Sequence, residues 1–170
     1  MAITKIYLET TMFSFYYEER SVPPYPELKA QVRRIFDLMK AGEYESYTSS
    51  LTTDEIANDP NLEKQKKMAA LFVEYGIKFL DITDEVKKLA TLYIQEKAIS
   101  PNYETDAAHI AVAAVNGLDF IISLNFTHIV RPWTIEHVRR VNGRELYKSI
   151  GIYKPKEVLE IYEDDSGLYE

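Results

Sequence analysis

Asp106 heads a run, DAAHIAVAAVNGLDFIISLNFTHI, that reads as an almost wholly apolar helix, a turn and a buried strand. A carboxylate leading such a helix is costly to bury without a partner or a task. Two further acids stand in comparable places: Glu9 closes the strand-like KIYLETT, and Glu55 follows a second strand-like run in SYTSSLTTDE. Asn125 follows the strand inside the Asp106 run. Ligands of open α/β sheets bind outside the carboxyl ends of the strands, so these four residues can converge although they lie far apart in sequence. Mg²⁺ and Mn²⁺ take oxygen ligands and keep several waters, so two or three carboxylates plus a substrate phosphate can hold one ion. Such a centre could activate water against a phosphodiester and offset the charge that builds on the phosphate.

Taken singly, each residue has a plainer explanation. Glu55 completes T-x-x-E with Thr52, the pattern of a helix capping box. Asp106 falls in a first helical turn, where the macrodipole favours an anion without any metal. Glu9 reads equally as an exposed strand end. Thr10 and Thr11 could cap the next turn, or could support Glu9 and a bound water through their hydroxyls. It is the joint pattern that points to a metal site. His109, one turn beyond Asp106, reads as a core residue or a supporting one, and His128 and His137 lack zinc-site spacing. There is no HExxH, P-loop, GxGxxG or GxSxG.

These acids need elements to carry them. Residues 3–9 alternate as a strand, and 27–41 carry Leu28, Val32, Ile35, Phe36 and Met39 at helical spacing. YESYTSS is a second strand, 53–58 a short helix, and 62–75 an amphipathic helix whose stripe is Leu62, Met68, Leu71, Phe72 and Tyr75. IKFLDI, a helix from Thr83 or Asp84 to Lys97, a helix over 106–116 and the strand DFIISL follow. Residues 134–142 suit a short helix, and YKSIGIY a last, edge strand. The tyrosine-rich FSFYYEERSVPPYPE reads as a partly buried loop or a partner surface. Strands alternating with helices predict an α/β sandwich with a mostly parallel sheet. The domain is expected over 1–155, with 156–170 as an acidic C-terminal tail whose end, EDDSGLYE, is frayed.

At 170 residues, 46% hydrophobic and 28% charged, the chain suits one soluble domain. No apolar run is long enough to span a bilayer, and the start lacks a signal-peptide pattern, so a cytoplasmic location without membrane partners is expected. The absence of cysteine excludes disulfides, thiolate metal sites and cysteine nucleophiles. A formal charge of −7 argues against a broad, non-specific nucleic-acid binder. Between Arg131 and Lys156, however, seven cations face only Glu136 and Glu145, so that stretch can either contact phosphates or serve as a solvated face.

At YLETTMF, SSLTTDEIAN and DAAHIAVAAVNGLDFIISLNFTHI the chain resembles the PIN-domain proteins, of the kind found as toxins of VapC-type toxin–antitoxin pairs. The order and spacing of these blocks agree over roughly positions 3–130, and the third block is the most specific. The resemblance implies a three-layer α/β sandwich with a five-stranded, mostly parallel sheet. It also implies a Mg²⁺- or Mn²⁺-dependent endoribonuclease cleaving RNA, the toxin of a type II pair, with Glu9, Glu55 and Asp106 as metal ligands. Asn125 takes the place of a fourth polar or acidic group, and Thr10 supplies a supporting hydroxyl. The implied partners are RNA, an antitoxin protein and a second copy in a homodimer.

Two departures define the alternative. Glu9 stands where the family has aspartate, which moves the carboxylate outward by about 1.5 Å, one C–C bond. Asn125 stands where many relatives carry aspartate, which removes a charge. The alternative is a weakened or inactive PIN-like module acting by protein or RNA binding. A third reading is another metal-dependent phosphohydrolase on a similar scaffold.

Overall fold

A computed structural model describes residues 2–166, and the chain runs β1 (Thr4–Leu8), α1 (Thr10–Tyr16), α2 (Tyr25–Lys40), β2 (Tyr44–Ser49), α3 (Ser50–Ala57), α4 (Leu62–Glu74), β3 (Lys78–Leu80), α5 (Asp84–Gln95), α6 (Glu104–Val115), β4 (Phe120–Ile122), α7 (Pro132–Arg144), β5 (Gly151–Tyr153) and α8 (Pro155–Asp165). All five strands are parallel, in the order β3-β2-β1-β4-β5. Alternation along the strands divides the core in two. Tyr7, Ile121 and Ile152 face α5, α6 and α7, whereas Ile6, Leu8, Phe120 and Ile122 face α1, α2, α4 and α8. The result is a three-layer sandwich with a five-stranded sheet, and the sheet is wholly rather than mostly parallel.

The strand order also locates the site. The chain moves outward from β1 through β2 to β3, then returns to place β4 on the other side of β1. Leu8 pairs with Ile122 in register, so Glu9 and Ser123 leave the sheet together at this switch point. The Glu9 N–H donates to the Ile122 carbonyl at 3.2 Å. A crevice outside two such strand ends is where an open parallel sheet binds its ligand. Gly117, at φ 62°, ends α6 in the left-handed conformation and turns the chain into β4.

Several expectations change. Residues 13–16, read as the start of a partly buried loop or partner surface, belong to α1, whose Met12 and Phe13 are fully buried. The third helix begins at Ser50, not Thr53: Ser49 is its N-cap and accepts from the Leu51 N–H. Thr52 therefore lies inside the helix, and the capping-box reading of Glu55 falls away. Leu62, assigned to the apolar stripe of α4, is 70% exposed. The helix expected at 134–142 runs from Pro132 to Arg144.

The largest change is at the C-terminus. Residues 156–165, assigned to the acidic tail, form most of α8, which packs against α2, and Glu163–Asp165, expected to be frayed, are its last residues. Its Val158 is fully buried in the same cluster as Val32 and Phe36. Residues 167–170 of the expected tail lie outside the described residues. Val158→Ala is expected to destabilise the domain by about 2 kcal/mol, from two lost methyls and the cavity they leave. A denaturant midpoint unchanged from wild type would contradict this packing role. No helix among the described residues is long and apolar enough to cross a membrane.

Candidate metal centre

Glu9 ends β1 and begins α1, yet its side chain does not cap that helix. It is only 2% exposed, so the exposed-strand-end reading is wrong. Two hydroxyls donate to its Oε1, Thr11 from the first turn of α1 and Ser123 from the end of β4, each at 2.5 Å. Thr11 Oγ1 in turn accepts from the Leu124 N–H at 2.8 Å, and Ser123 Oγ from the Asn125 N–H at 2.9 Å. Neither hydroxyl uses Oε2. Burial pushes the Glu9 carboxyl above its ordinary range; His109 and the two hydroxyls oppose the shift, and Glu55 adds to it.

Glu55 reaches the same place from α3. Its Oε1 accepts from Thr10 Oγ1 at 2.8 Å and lies 2.5 Å from His109 Nε2. Burial would raise this carboxyl, but the His109 hydrogen bond and charge, with Thr10, outweigh it and hold Glu55 below the usual range. Thr10 thus supports Glu55, while Thr11 supports Glu9.

His109 is the third member. It projects from α6 and is fully buried. Ligand atoms of Glu9, Glu55 and His109 all lie within 4.8 Å of one another, close enough for one metal ion to be held by the three. The Nδ1 atom of His109 is 2.7 Å from the Tyr7 hydroxyl, which is 2.7 Å from Ser49 Oγ. Ser49 also caps α3, so one chain of hydrogen bonds ties together β1, α3 and α6.

That chain decides whether the donor set fits a cation. Saturating each group once gives Ser49 donating to Tyr7, Tyr7 to Nδ1, and Nε2–H to Glu55. In that order Nε2 carries a proton and cannot ligate. The order also runs in reverse, because imidazole and both hydroxyls can donate or accept: Nδ1–H donates to Tyr7, Tyr7 donates to Ser49, and the Nε2 lone pair faces the carboxylates. Second partners of this kind orient metal-binding histidines. Burial pushes the Tyr7 hydroxyl well above its ordinary range, so it remains a neutral hydroxyl able to work in either direction. The residues therefore fit a cation. Tyr7→Phe is expected to weaken divalent-metal affinity roughly 10–100-fold, measured by calorimetric titration; unchanged affinity would contradict the orienting role.

Asp106 borders this cluster rather than belonging to it. It lies half-buried in the first turn of α6, one turn before His109, and is not in the three-way group. Burial pushes its carboxyl up, His109 pulls it down, and Glu55 repulsion adds to the rise. Asn125 follows β4 and is held in a turn. Its Oδ1 accepts from the His128 N–H at 3.0 Å, closing a turn, and its amide lends a hydrogen bond that favours ionised Asp106.

The structure thus brings Glu9, Glu55 and Thr10 together as expected and sets Asp106 and Asn125 at the rim. Thr11 supports Glu9 through its hydroxyl, one of the two roles open to it from the sequence, and His109, read as a core or supporting residue, joins the cluster itself, whereas Ser123 and Tyr7 were not singled out. A signal existed for His109 and Ser123: His109 lies three residues after Asp106, on the same helical face, and Ser123 is the hydroxyl in an otherwise apolar strand run. Searches of known proteins add nothing further: no family model matches this chain, and no curated protein matches it.

Proposed function

We propose that the protein is a Mg²⁺- or Mn²⁺-dependent endoribonuclease, the toxin of a type II toxin–antitoxin pair, with an antitoxin protein and a second copy of the chain as its partners. The observation that carries this reading is the meeting of Glu9, Glu55 and His109 at the β1/β4 switch point, with a third acid, Asp106, alongside. The order of acids along the chain, shared with PIN-domain nucleases, supports RNA as the substrate.

Glu9, Glu55 and His109 would hold the cation. When bound, it would supply positive charge against the phosphate and lower the cost of ionising water. Ser123 and Thr11 fix the Glu9 carboxylate, and Tyr7 fixes the His109 ring. Asp106, raised by burial and standing free of the trio, is the group suited to take a proton from the attacking water through its carboxylate. The test is cleavage of end-labelled single-stranded and structured RNAs with Mn²⁺. Cleavage should vanish with chelator and fall roughly 10²–10⁴-fold in Asp106→Ala; full activity in either case would overturn the reading.

One observation favours a second reading, a non-catalytic PIN-like module. Glu55 and His109 already satisfy each other, and Glu9 already holds two hydroxyls, so the cluster is hydrogen-bonded without any cation. Absence of metal uptake, with RNA or partner binding intact in Asp106→Ala, would select it.

A further inference from the structure

Beyond the acidic cluster, a groove of about 620 Å³ opens between the first turns of α2 and the chain that follows β4 and β5. Leu28 and Gln31 line it from one face of α2, Phe126 and Arg131 from the loop after β4, and Lys154 and Lys156 from the end of β5 and the start of α8. Phe126 directly follows Asn125, whose amide steadies Asp106, and Lys154 directly follows β5. The groove therefore lies on the same carboxyl edge of the sheet as the candidate metal centre.

Three features mark it as built for a ligand. The first is charge. Of the seven cations between Arg131 and Lys156, Arg139, Arg140, Arg144 and Lys148 are committed to carboxylates. Among the described residues, Arg131, Lys154 and Lys156 pair with none, and these are the three that line the groove. Arg131 spends only its Nε, on Thr134 Oγ1 at 2.9 Å. Glu27 and Glu157 also line the groove, and Glu157 is bonded to the Lys154 backbone N–H. The second feature is a ring: Phe126, in the lining of the groove, is 43% exposed. The third is an orphan. Gln31 Oε1 is the one buried side-chain polar atom without a hydrogen-bond partner among the described residues, and Gln31 lines this same groove. A buried acceptor left unpaired calls for a donor from elsewhere.

We propose that this groove receives a nucleotide of single-stranded RNA next to the phosphodiester presented to the metal centre. Arg131, Lys154 and Lys156 contact its phosphates, Phe126 stacks on its base, and Gln31 Oε1 accepts a base N–H. The inference rests on the nuclease reading for its substrate. A single strand is required because the base edge and face must both be free, which a duplex denies.

The test is fluorescence anisotropy of a short labelled single-stranded RNA in chelator, where no cleavage can occur. Removing Lys154 and Lys156 together by alanine should flatten log K against log salt by about 0.7 for each phosphate that is no longer neutralised. Phe126→Ala should weaken binding roughly tenfold. Gln31→Leu should weaken binding while leaving the melting temperature unchanged or higher, which a structural role would not do. An unchanged salt slope in the lysine variant, equal affinity for duplex RNA, or tighter binding of an acidic peptide would overturn the proposal. Calorimetric Mn²⁺ titration of the same proteins separates the two claims. Groove variants that lose RNA but keep metal uptake support the groove. A wild type that binds RNA here but takes up no metal leaves the groove standing and removes the nuclease reading.

Discussion

Glu9→Gln is expected to abolish divalent-metal uptake and, in the same metal-free protein, to raise thermal stability at neutral pH. The two effects share one cause. Glu9 is buried, and burial pushes its carboxyl up against the opposing help of His109, Thr11 and Ser123. A folded-state pKa above the unfolded one gives stability that is complete below the unfolded value, near 4.3, and lost as pH rises through the folded value. Above that point the native protein carries a buried charge that unfolding would relieve. Gln keeps an oxygen for the two hydroxyls and never ionises, so the variant should outlast wild type at pH 7–8, and the two should converge near pH 4. Each 1 kcal/mol would appear as roughly 2–4 °C in Tm. Metal reverses the ranking: ligand at about 100 times Kd adds roughly 2.7 kcal/mol to a protein that binds it, and only wild type should respond. A variant less stable than wild type at pH 8, or one that binds Mn²⁺ equally well, would show that the Glu9 carboxylate is not a strained ligand.

The second large effect concerns which metal is held. An all-carboxylate pocket suits Mg²⁺, which is reluctant to shed water and favours oxygen. Here one of the three clustered donors is an imidazole nitrogen, and imidazole favours first-row transition ions. Wild type is therefore expected to bind Mn²⁺ at least about tenfold more tightly than Mg²⁺. His109→Asn replaces nitrogen with oxygen and should reduce that preference by lowering Mn²⁺ affinity more than Mg²⁺ affinity. The variant also leaves Tyr7 and Glu55 without their His109 partner, so a fall in stability of about 1–3 kcal/mol is expected and is separable from the metal ratio. Equal affinities for the two ions in wild type would mean that His109 remains bonded to Glu55 and does not ligate.

Much of the fold was legible because periodicity and capping agreed. The helices at 84–95 and 104–115 show it best: Thr83 caps the first, and Gly117 stops the second. The misses have physical reasons. TTMFSFY is rich in threonine and aromatics, which favour strands or loops, yet Met12 and Phe13 find the core and hold the segment helical. In α8 the acidic EDD end obscured Val158, whose burial against α2 outweighs the tail composition. Local motifs also misled: T-x-x-E looked like a cap, but Ser49 does the capping and frees Glu55 to turn inward.

The site was legible as a set of acids at strand ends, and less so as a donor set. Glu9 and Glu55 could be found because position along the chain limits where a strand-end carboxylate points. The choice between Asp106 and His109 could not, because both lie on one face of α6, a single turn apart. In the structure the Tyr7 hydroxyl reaches across from β1 to His109 Nδ1, and His109 Nε2 lies beside the Glu55 carboxylate. The Tyr7 contact joins residues 102 apart in sequence, and nothing in the local pattern of either segment announces it.

Pulsed electron paramagnetic resonance on the Mn²⁺-loaded protein tests the central claim most directly. One Mn²⁺ per chain is expected, with a nitrogen coupling that disappears in His109→Asn, as required if Glu9, Glu55 and His109 share one ion. Failure to bind Mn²⁺ saturably, or a bound ion with no nitrogen coupling, would contradict that centre and leave a hydrogen-bonded cluster in its place.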